Sequence, residues 1–102
     1  MKGPENKFRD SQVIPYLKKL GAYFFIKEAA AIRGIPDIIG CLNGYFFALE
    51  LKSSYKEAIK NTGRIVLQQV VLDKMRLNSA YAEVVYPENF ITAMENLRKH
   101  CA

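Results

Sequence analysis

Three ionisable residues near the middle of the chain have the types and the spacing to do chemistry together. Asp37 precedes the dipeptide Asn43-Gly44, and Glu50 and Lys52 follow it. Asn-Gly between apolar runs is a strong signal for a two-residue hairpin turn. Facing residues in such a hairpin have numbers that sum to 87, so Asp37 lies opposite Glu50 as a non-hydrogen-bonded pair. A four-residue loop gives the same pairing, whereas a bulge or an odd-length loop would break it.

Two carboxylates that face each other across a hairpin repel, and partial burial adds a desolvation cost. The repulsion is relieved either by a shared proton, which raises one pKa, or by a hard divalent cation, which binds oxygen ligands. Because side chains alternate along a strand, Lys52 projects from the same face as Glu50. Two metal-binding acids beside an ammonium group suit phosphodiester hydrolysis, in which Lys52 would stabilise the transition state or hold the attacking water. The alternative is a solvated edge strand after an ordinary turn.

The order Pro36-Asp37, hairpin, Glu50-Leu51-Lys52 resembles the PD-(D/E)xK nuclease superfamily. Gly34, the cysteine and asparagine before the turn, and Leu67-Gln68 further along resemble its VRR-NUC branch, especially the small stand-alone, phage-type members. The similarity extends over nearly the whole chain. The acids and the lysine alone are a common pattern, and the hairpin and the downstream glutamine make it more specific.

The resemblance implies a restriction-endonuclease-like αβββαβ(α) core, with a mixed four-stranded sheet flanked by helices, as one nuclease domain over residues 1–102. It also implies a Mg²⁺- or Mn²⁺-dependent DNA endonuclease that leaves 5′-phosphate and 3′-hydroxyl ends. Small relatives of this kind tend to be homodimers that cut branched DNA such as Holliday junctions, and a two-fold dimer matches a junction's symmetry. Two alternatives stay open: a restriction-, nickase- or flap-type nuclease on simple duplex DNA, and a non-catalytic DNA-binding module.

The resemblance also assigns roles to individual residues. Asp37 and Glu50 would hold the metal, and the backbone carbonyl of Leu51 would complete its shell. Lys52 would assist the water or the transition state. A glutamine near the start of the next helix would orient the lysine or contact phosphate. Gln68 fits this position best, and Gln69 is the alternative.

Glu5, at the start of the first helix, has two interpretations. Related nucleases carry a glutamate here that reaches the metal site directly or through water. The alternative is an acid that favours the positive end of the helix dipole and pairs with Arg9 four residues on.

Basic residues flank this predicted site and are candidates for contacts with DNA phosphates. Lys27 and Arg33 stand at the two ends of an alanine-rich linker. Three further basic residues continue the four-residue spacing that begins at Lys52, and a helix would align them as a ridge that tracks a DNA backbone; they are Lys56, Lys60 and Arg64. A solvated loop is the other interpretation of this segment.

Composition sets only broad limits. The chain has 102 residues, a formal net charge of +5 and half of its residues hydrophobic, which is typical of one globular domain and is compatible with a polyanionic partner. Cys41 and Cys101 are far apart and lack metal-ligand spacing, so we predict free thiols and no zinc site. No organic cofactor is indicated. The absence of a signal-peptide core and of a long apolar run predicts an intracellular, cytoplasmic protein without a membrane segment, compatible with a phage protein in a bacterial host.

The remaining pattern predicts the elements around the hairpin. A first helix begins at Gly3-Pro4-Glu5 and ends at Gly21, with a kink or split near residues 11–12 caused by Pro15. Residues 23–26 are predicted as a buried strand and residues 81–86 as a fourth strand. Two further helices are predicted, one over residues 64–78 whose inward residues are Leu67, Val70, Val71 and Met75, and one from Pro87 whose inward residues are Phe90, Met94 and Leu97.

Overall fold

The computed structural model describes residues 3–27, 34–60 and 62–102. Its elements are α1 Pro4–Phe8, a π-helical turn Arg9–Val13, α2 Ile14–Leu20, β1 Tyr23–Ile26, β2 Ile38–Leu42, β3 Tyr45–Leu51, α3 Tyr55–Ala58, α4 Gly63–Leu77, β4 Tyr81–Val85, a 3₁₀ turn Pro87–Asn89 and α5 Phe90–His100. The strands form one sheet in the order β1-β2-β3-β4, antiparallel except for the parallel pair β3 and β4. The predicted mixed four-stranded sheet flanked by helices is confirmed. No helix in these ranges has the length and apolar character that crossing a membrane requires.

The hairpin between β2 and β3 forms as its turn residues predict. Asn43 and Gly44 both have positive φ values, 53° and 85°, as a type I′ turn requires. Ile38 pairs with Leu49, which confirms the predicted register. Gly40 of β2 is needed for close packing, because a Cβ atom there would lie 2.5 Å from the backbone oxygen of Tyr23.

The first helical segment is interrupted where Pro15 predicts it. Pro15 has no backbone N–H, so the usual bond to the carbonyl four residues earlier cannot form. A π-helical turn forms instead, in which the N–H of Ile14 donates to the carbonyl of Arg9 five residues back. The five-residue step from Phe8 to Val13 fits this wider turn, and both side chains are buried.

The two faces of the sheet have different cover. One face carries Phe47, Leu49 and Leu51, which pack with residues of α2 and α5 in the main core. On the other face, Ala48 and Ala82 pack against Leu72 of α4. Helix α4 therefore lies over β3 and β4.

Two predictions of burial are wrong, and both concern the face that α4 covers only in part. Strand β1 lies at an edge of the sheet, and Tyr23 and Phe25 are 68% and 63% exposed rather than buried. On α4, Gln68 and Leu72 are the buried residues, whereas Leu67 and Val70 are exposed. The apolar stripe of α4 is wider than the surface by which this helix contacts β3 and β4, so its outer residues stay exposed.

Candidate active site

Asp37 and Glu50 meet at one end of the β2–β3 hairpin. The register that pairs Ile38 with Leu49 places Asp37 opposite Glu50, so both side chains project from the face that carries α4. The backbone N–H of Leu51 donates to Asp37 Oδ2 at 2.8 Å, which fixes this carboxylate at the end of β3. Glu50, opposite Asp37 on β3, is only 2% exposed. The two acids form a close pair.

Gln68 reaches the acid pair from α4. Its Nε2 donates to Glu50 Oε1 at 3.1 Å. Thr62 caps this helix by accepting from the N–H of Ile65, and the helix start fixes where Gln68 falls. Of the two candidate glutamines, Gln68 is therefore the one that contacts the acid pair, and Gln69 does not make this contact. Two buried atoms there have no hydrogen-bond partner: Glu50 Oε2 and Gln68 Oε1.

The environment of Glu50 favours its protonated form. Burial is the main cause, followed by the interaction with the neighbouring Asp37 carboxylate, and together they raise the pKa of Glu50 to about 9. The positive charges of Lys52 and Lys27 oppose this rise. Without a cation, Glu50 therefore keeps its proton at neutral pH, which corresponds to the first of the two forms of relief that the sequence suggests, one raised pKa.

Each acid has an ammonium group near it. Lys52 Nζ lies 4.0 Å from Glu50 Oε1, and the backbone N–H of Lys52 donates to the carbonyl of Val85 at 3.0 Å, which holds the end of β3 beside β4. Lys27 Nζ lies 3.7 Å from Asp37 Oδ1. The sequence suggested Lys27 for contacts with DNA, whereas in the structure its partner is a site carboxylate.

Glu5 on α1 lies in the same site. It lines a cleft together with Glu50 and Lys52. Burial raises the pKa of Glu5, and the charge of Asp37 raises it further. Arg9 forms an ion pair with Asp10 at 2.9 Å. The structure therefore does not show the alternative pairing of Arg9 with Glu5.

The cleft has a volume of about 240 Å³ and a largely polar lining. Its lining residues are Glu5, Glu50, Lys52, Ser53, Glu57, Lys60, Thr62, Arg64 and Ile65. Glu57 was not predicted from the sequence as a site residue, and it forms an ion pair with Lys60 at 2.8 Å. The capping residue Ser54 was the available signal, because its side chain accepts from the N–H of Glu57 at the start of α3.

The predicted basic ridge does not form as one helix. Helix α3 ends at Ala58, and a new helix begins after Thr62. Lys60 and Arg64 still reach the cleft, but Lys56 is exposed and is not part of its lining. Arg33, the remaining candidate for DNA binding, lies outside the described residues.

The residues at the acid pair fit a hard divalent cation that takes only some of its ligands from the protein. Within the described part of the chain, no three His, Cys, Asp or Glu side chains come together as a metal site. Mg²⁺ needs fewer, since it commonly binds one or two carboxylates and takes its other ligands from phosphates and water. Glu50 Oε2 and Gln68 Oε1 are buried oxygen atoms that lack a partner, and oxygen is the ligand this cation prefers.

Comparisons with known proteins add information on the fold. A scan against models of protein families found no match, and no curated protein matches the chain. A search of solved structures found one described as "VRR_NUC domain", with a TM-score of 0.69 and 17% sequence identity, covering 99% of this chain and 100% of that one. The expected VRR-NUC fold is therefore confirmed over almost the whole chain.

Proposed function

We propose that this chain, which has the fold of a VRR_NUC domain, is a divalent-cation-dependent DNA endonuclease formed by residues 1–102 as one domain. One observation carries the proposal: Asp37 faces the buried Glu50, which has an unpartnered oxygen and has the ammonium group of Lys52 4.0 Å away. A fold without polar chemistry here would leave such a pair costly and unexplained.

The residues of the chain have distinct tasks in the proposed reaction. Asp37 and Glu50 would hold Mg²⁺ or Mn²⁺, which would polarise the scissile phosphate and lower the pKa of the attacking water. The Leu51 N–H and the Gln68 amide keep the two carboxylates in place. Lys52 stabilises the negative charge that develops on the phosphate. The Leu51 carbonyl remains our proposed further ligand for the cation.

Glu5 enters the same reaction from α1. Its raised pKa suits a group that accepts or holds a proton near the attacking water. Arg64, whose charge opposes that rise, lines the same cleft and suits a contact with a neighbouring phosphate.

DNA is the substrate that the cleft supports best. Lys52, Lys60 and Arg64 give it cations for phosphate contacts, which bind DNA without reading sequence. No stretch of the sequence resembles a helix-turn-helix or a zinc finger. We therefore propose selection by DNA structure, with branched DNA such as a Holliday junction as the preferred substrate, in the cytoplasm of a cell that contains DNA.

We further propose that the protein acts as a homodimer through the part of the sheet that α4 leaves uncovered. Tyr23 and Phe25 stack edge to face at 5.3 Å, and Phe46 projects from the same face because its cross-strand neighbour Cys41 pairs with Tyr23. At about 200 Å² per aromatic side chain, the exposed fractions of these three rings amount to on the order of 350 Å². An apolar area of this size suits the centre of an interface that buries about 800 Å² per partner.

Cleavage assays on matched substrates test the activity. The protein is incubated with a four-way junction, a flap and a linear duplex of the same sequence, with Mg²⁺, Mn²⁺ or EDTA. We expect metal-dependent cutting of the junction, and Lys52→Ala should reduce the rate by about 100-fold or more while junction binding stays within about threefold. The exposed Lys19→Ala on α2 is the control for loss of one positive charge and should cut normally.

Other outcomes would favour the alternatives. Equal cutting of linear duplex would support a restriction- or flap-type nuclease, and binding without any cutting would support a DNA-binding module. Full activity of Lys52→Ala would show that the lysine is wrongly assigned.

The dimer is tested by its mass in solution. Light scattering or sedimentation should give twice the chain mass for the wild type and the monomer mass for Phe25→Glu. Ile91→Glu is the control, because Ile91 is 77% exposed on α5, a helix that packs on the opposite face of the sheet. A wild-type monomer at micromolar concentration would refute the dimer, and a dimeric Phe25→Glu would place its surface elsewhere.

A further inference from the structure

Lys27 makes two contacts with Asp37 and a third with the nearby Ile35. Its backbone N–H donates to the carbonyl of Asp37 at 2.8 Å, which continues the β1–β2 ladder one residue beyond Ile26. Its Nζ donates to the carbonyl of Ile35 at 3.1 Å and lies 3.7 Å from Asp37 Oδ1. Both side chains are only 19% exposed, so this ammonium group is held over the carboxylate and is not a freely solvated surface charge.

The two oxygens of Asp37 have different partners. Oδ2 accepts from the N–H of Leu51, a neutral backbone donor at the end of β3. Oδ1 faces Lys27, a cation on a flexible stem that can move away. The oxygen that a divalent cation could take from its present partner is therefore Oδ1, and Lys27 stands beside it.

We propose that Lys27 is a positioning residue that acts as a stand-in cation: it neutralises and orients Asp37 in the metal-free protein, and it weakens the binding of a divalent cation to that carboxylate. This inference rests on the proposed function, because it takes Asp37 as a metal ligand. A cation on Oδ1 lies within a few ångströms of the ammonium group, and two positive charges at that distance repel in a site that is largely shielded from water.

The position of Lys27 couples metal binding to DNA binding. With no DNA present, its positive charge opposes the cation, so the free protein holds metal weakly. A DNA phosphate at the site brings negative charge that offsets both the cation and Lys27. Metal and DNA then bind cooperatively, with Lys27 as the residue that penalises metal in the empty site.

The test measures Mn²⁺ binding to the protein without DNA, at one fixed pH, by calorimetry or by the electron paramagnetic resonance signal of free Mn²⁺. We expect Lys27→Met to bind Mn²⁺ about tenfold more tightly than the wild type. Lys27→Gln removes the charge while keeping a donor for Ile35, and it should behave the same way if Lys27→Met folds poorly. Lys27→Arg keeps the charge and should bind like the wild type. Lys18→Met, an exposed lysine on α2, is the control and should change nothing.

Thermal unfolding supplies a readout that a purely structural lysine would not produce. Without metal, Lys27→Met should melt below the wild type, because Asp37 has lost its counter-charge. Saturating Mn²⁺ should close that gap, since the cation then supplies the missing charge. Loss of packing by the aliphatic stem alone would lower the melting temperature equally with and without Mn²⁺, and that result would overturn the inference.

The remaining outcomes separate this inference from the proposed function. If wild-type protein binds no Mn²⁺, or Asp37→Asn binds it as well as the wild type does, the proposed metal site is wrong. If wild-type protein binds Mn²⁺ through Asp37 but both neutral variants of Lys27 bind it equally or more weakly, the proposed function stands and the role of Lys27 is refuted.

Discussion

Replacement of Glu50 by glutamine should make the metal-free protein more stable at alkaline pH while abolishing cleavage. Glu50 is buried beside Asp37, and its folded-state pKa of about 9 lies well above its ordinary value of 4.5. The unfolded chain releases this proton near pH 4.5, whereas the folded chain keeps it until about pH 9. Between these values the folded state binds one proton more, so its stability is complete below the lower value and decreases as pH rises.

The size of the effect follows from proton linkage. One proton retained only by the folded state costs about 1.4 kcal/mol per pH unit, so wild-type protein in EDTA should lose about 2–3 kcal/mol between pH 6 and pH 8. Glu50→Gln has the same shape, keeps an oxygen for the Gln68 amide and has no proton to lose. Its free energy of unfolding should be nearly constant over this range.

Urea unfolding in EDTA at pH 6, 7 and 8 measures both slopes. Glu57→Gln is the control, because Glu57 lines the same cleft but is paired with Lys60, and this variant should keep the wild-type slope. A wild-type stability that does not change with pH, or a Glu50→Gln protein with the wild-type slope, would refute the buried, protonated acid. Saturating Mn²⁺ should flatten the wild-type slope, since the cation binds the ionised carboxylate.

Two further substitutions test neighbouring parts of the argument. Gln68→Ala should weaken Mn²⁺ binding by about 10-fold or more, because loss of a hydrogen-bond partner of a metal ligand commonly has this effect. Gln69→Ala is the control and should bind Mn²⁺ normally. Equal effects of the two substitutions in calorimetry would contradict the contact between Gln68 and Glu50. Gly40→Ala should cost about 3 kcal/mol in urea unfolding, because the new Cβ would lie 2.5 Å from the Tyr23 backbone oxygen, and a cost below about 1 kcal/mol would contradict the close approach of β1 and β2.

Local rules in the sequence predicted the centre of the site well. The Asn43-Gly44 turn sets the register of its hairpin through backbone conformations that these two residues favour, so the pairing of Asp37 with Glu50 follows after five residues on each side of the turn. The interruption at Pro15 is equally local, because it depends on one missing N–H. The fold itself came from resemblance, and the position of Gln68 did as well.

Predictions failed where they depended on how the helices are arranged: which strands a helix covers, and where each helix begins. The composition of β1 is that of a buried strand, but burial is decided by α4, which lies over β3 and β4 and leaves Tyr23 and Phe25 exposed. The four-residue spacing of basic residues suggested one helix, whereas Ser54 and Thr62 each cap a separate helix start. Both capping residues are visible in the sequence, and they outweigh the charge pattern because a cap satisfies backbone donors directly.

The cost of the acid pair is itself an argument for what it does. A protein that needed only stability would replace Glu50 by an apolar residue or an amide, because a buried carboxyl group that must keep its proton is destabilising at neutral pH. The chain instead surrounds the pair with groups that compensate in part: an amide from α4, a backbone N–H from β3, and one lysine beside each acid. Partial compensation leaves a carboxylate pair whose remaining cost a divalent cation can remove. Under the proposed function, the energy that destabilises the empty site would be recovered on cation binding, and the cation would displace both Lys27 and the Glu50 proton.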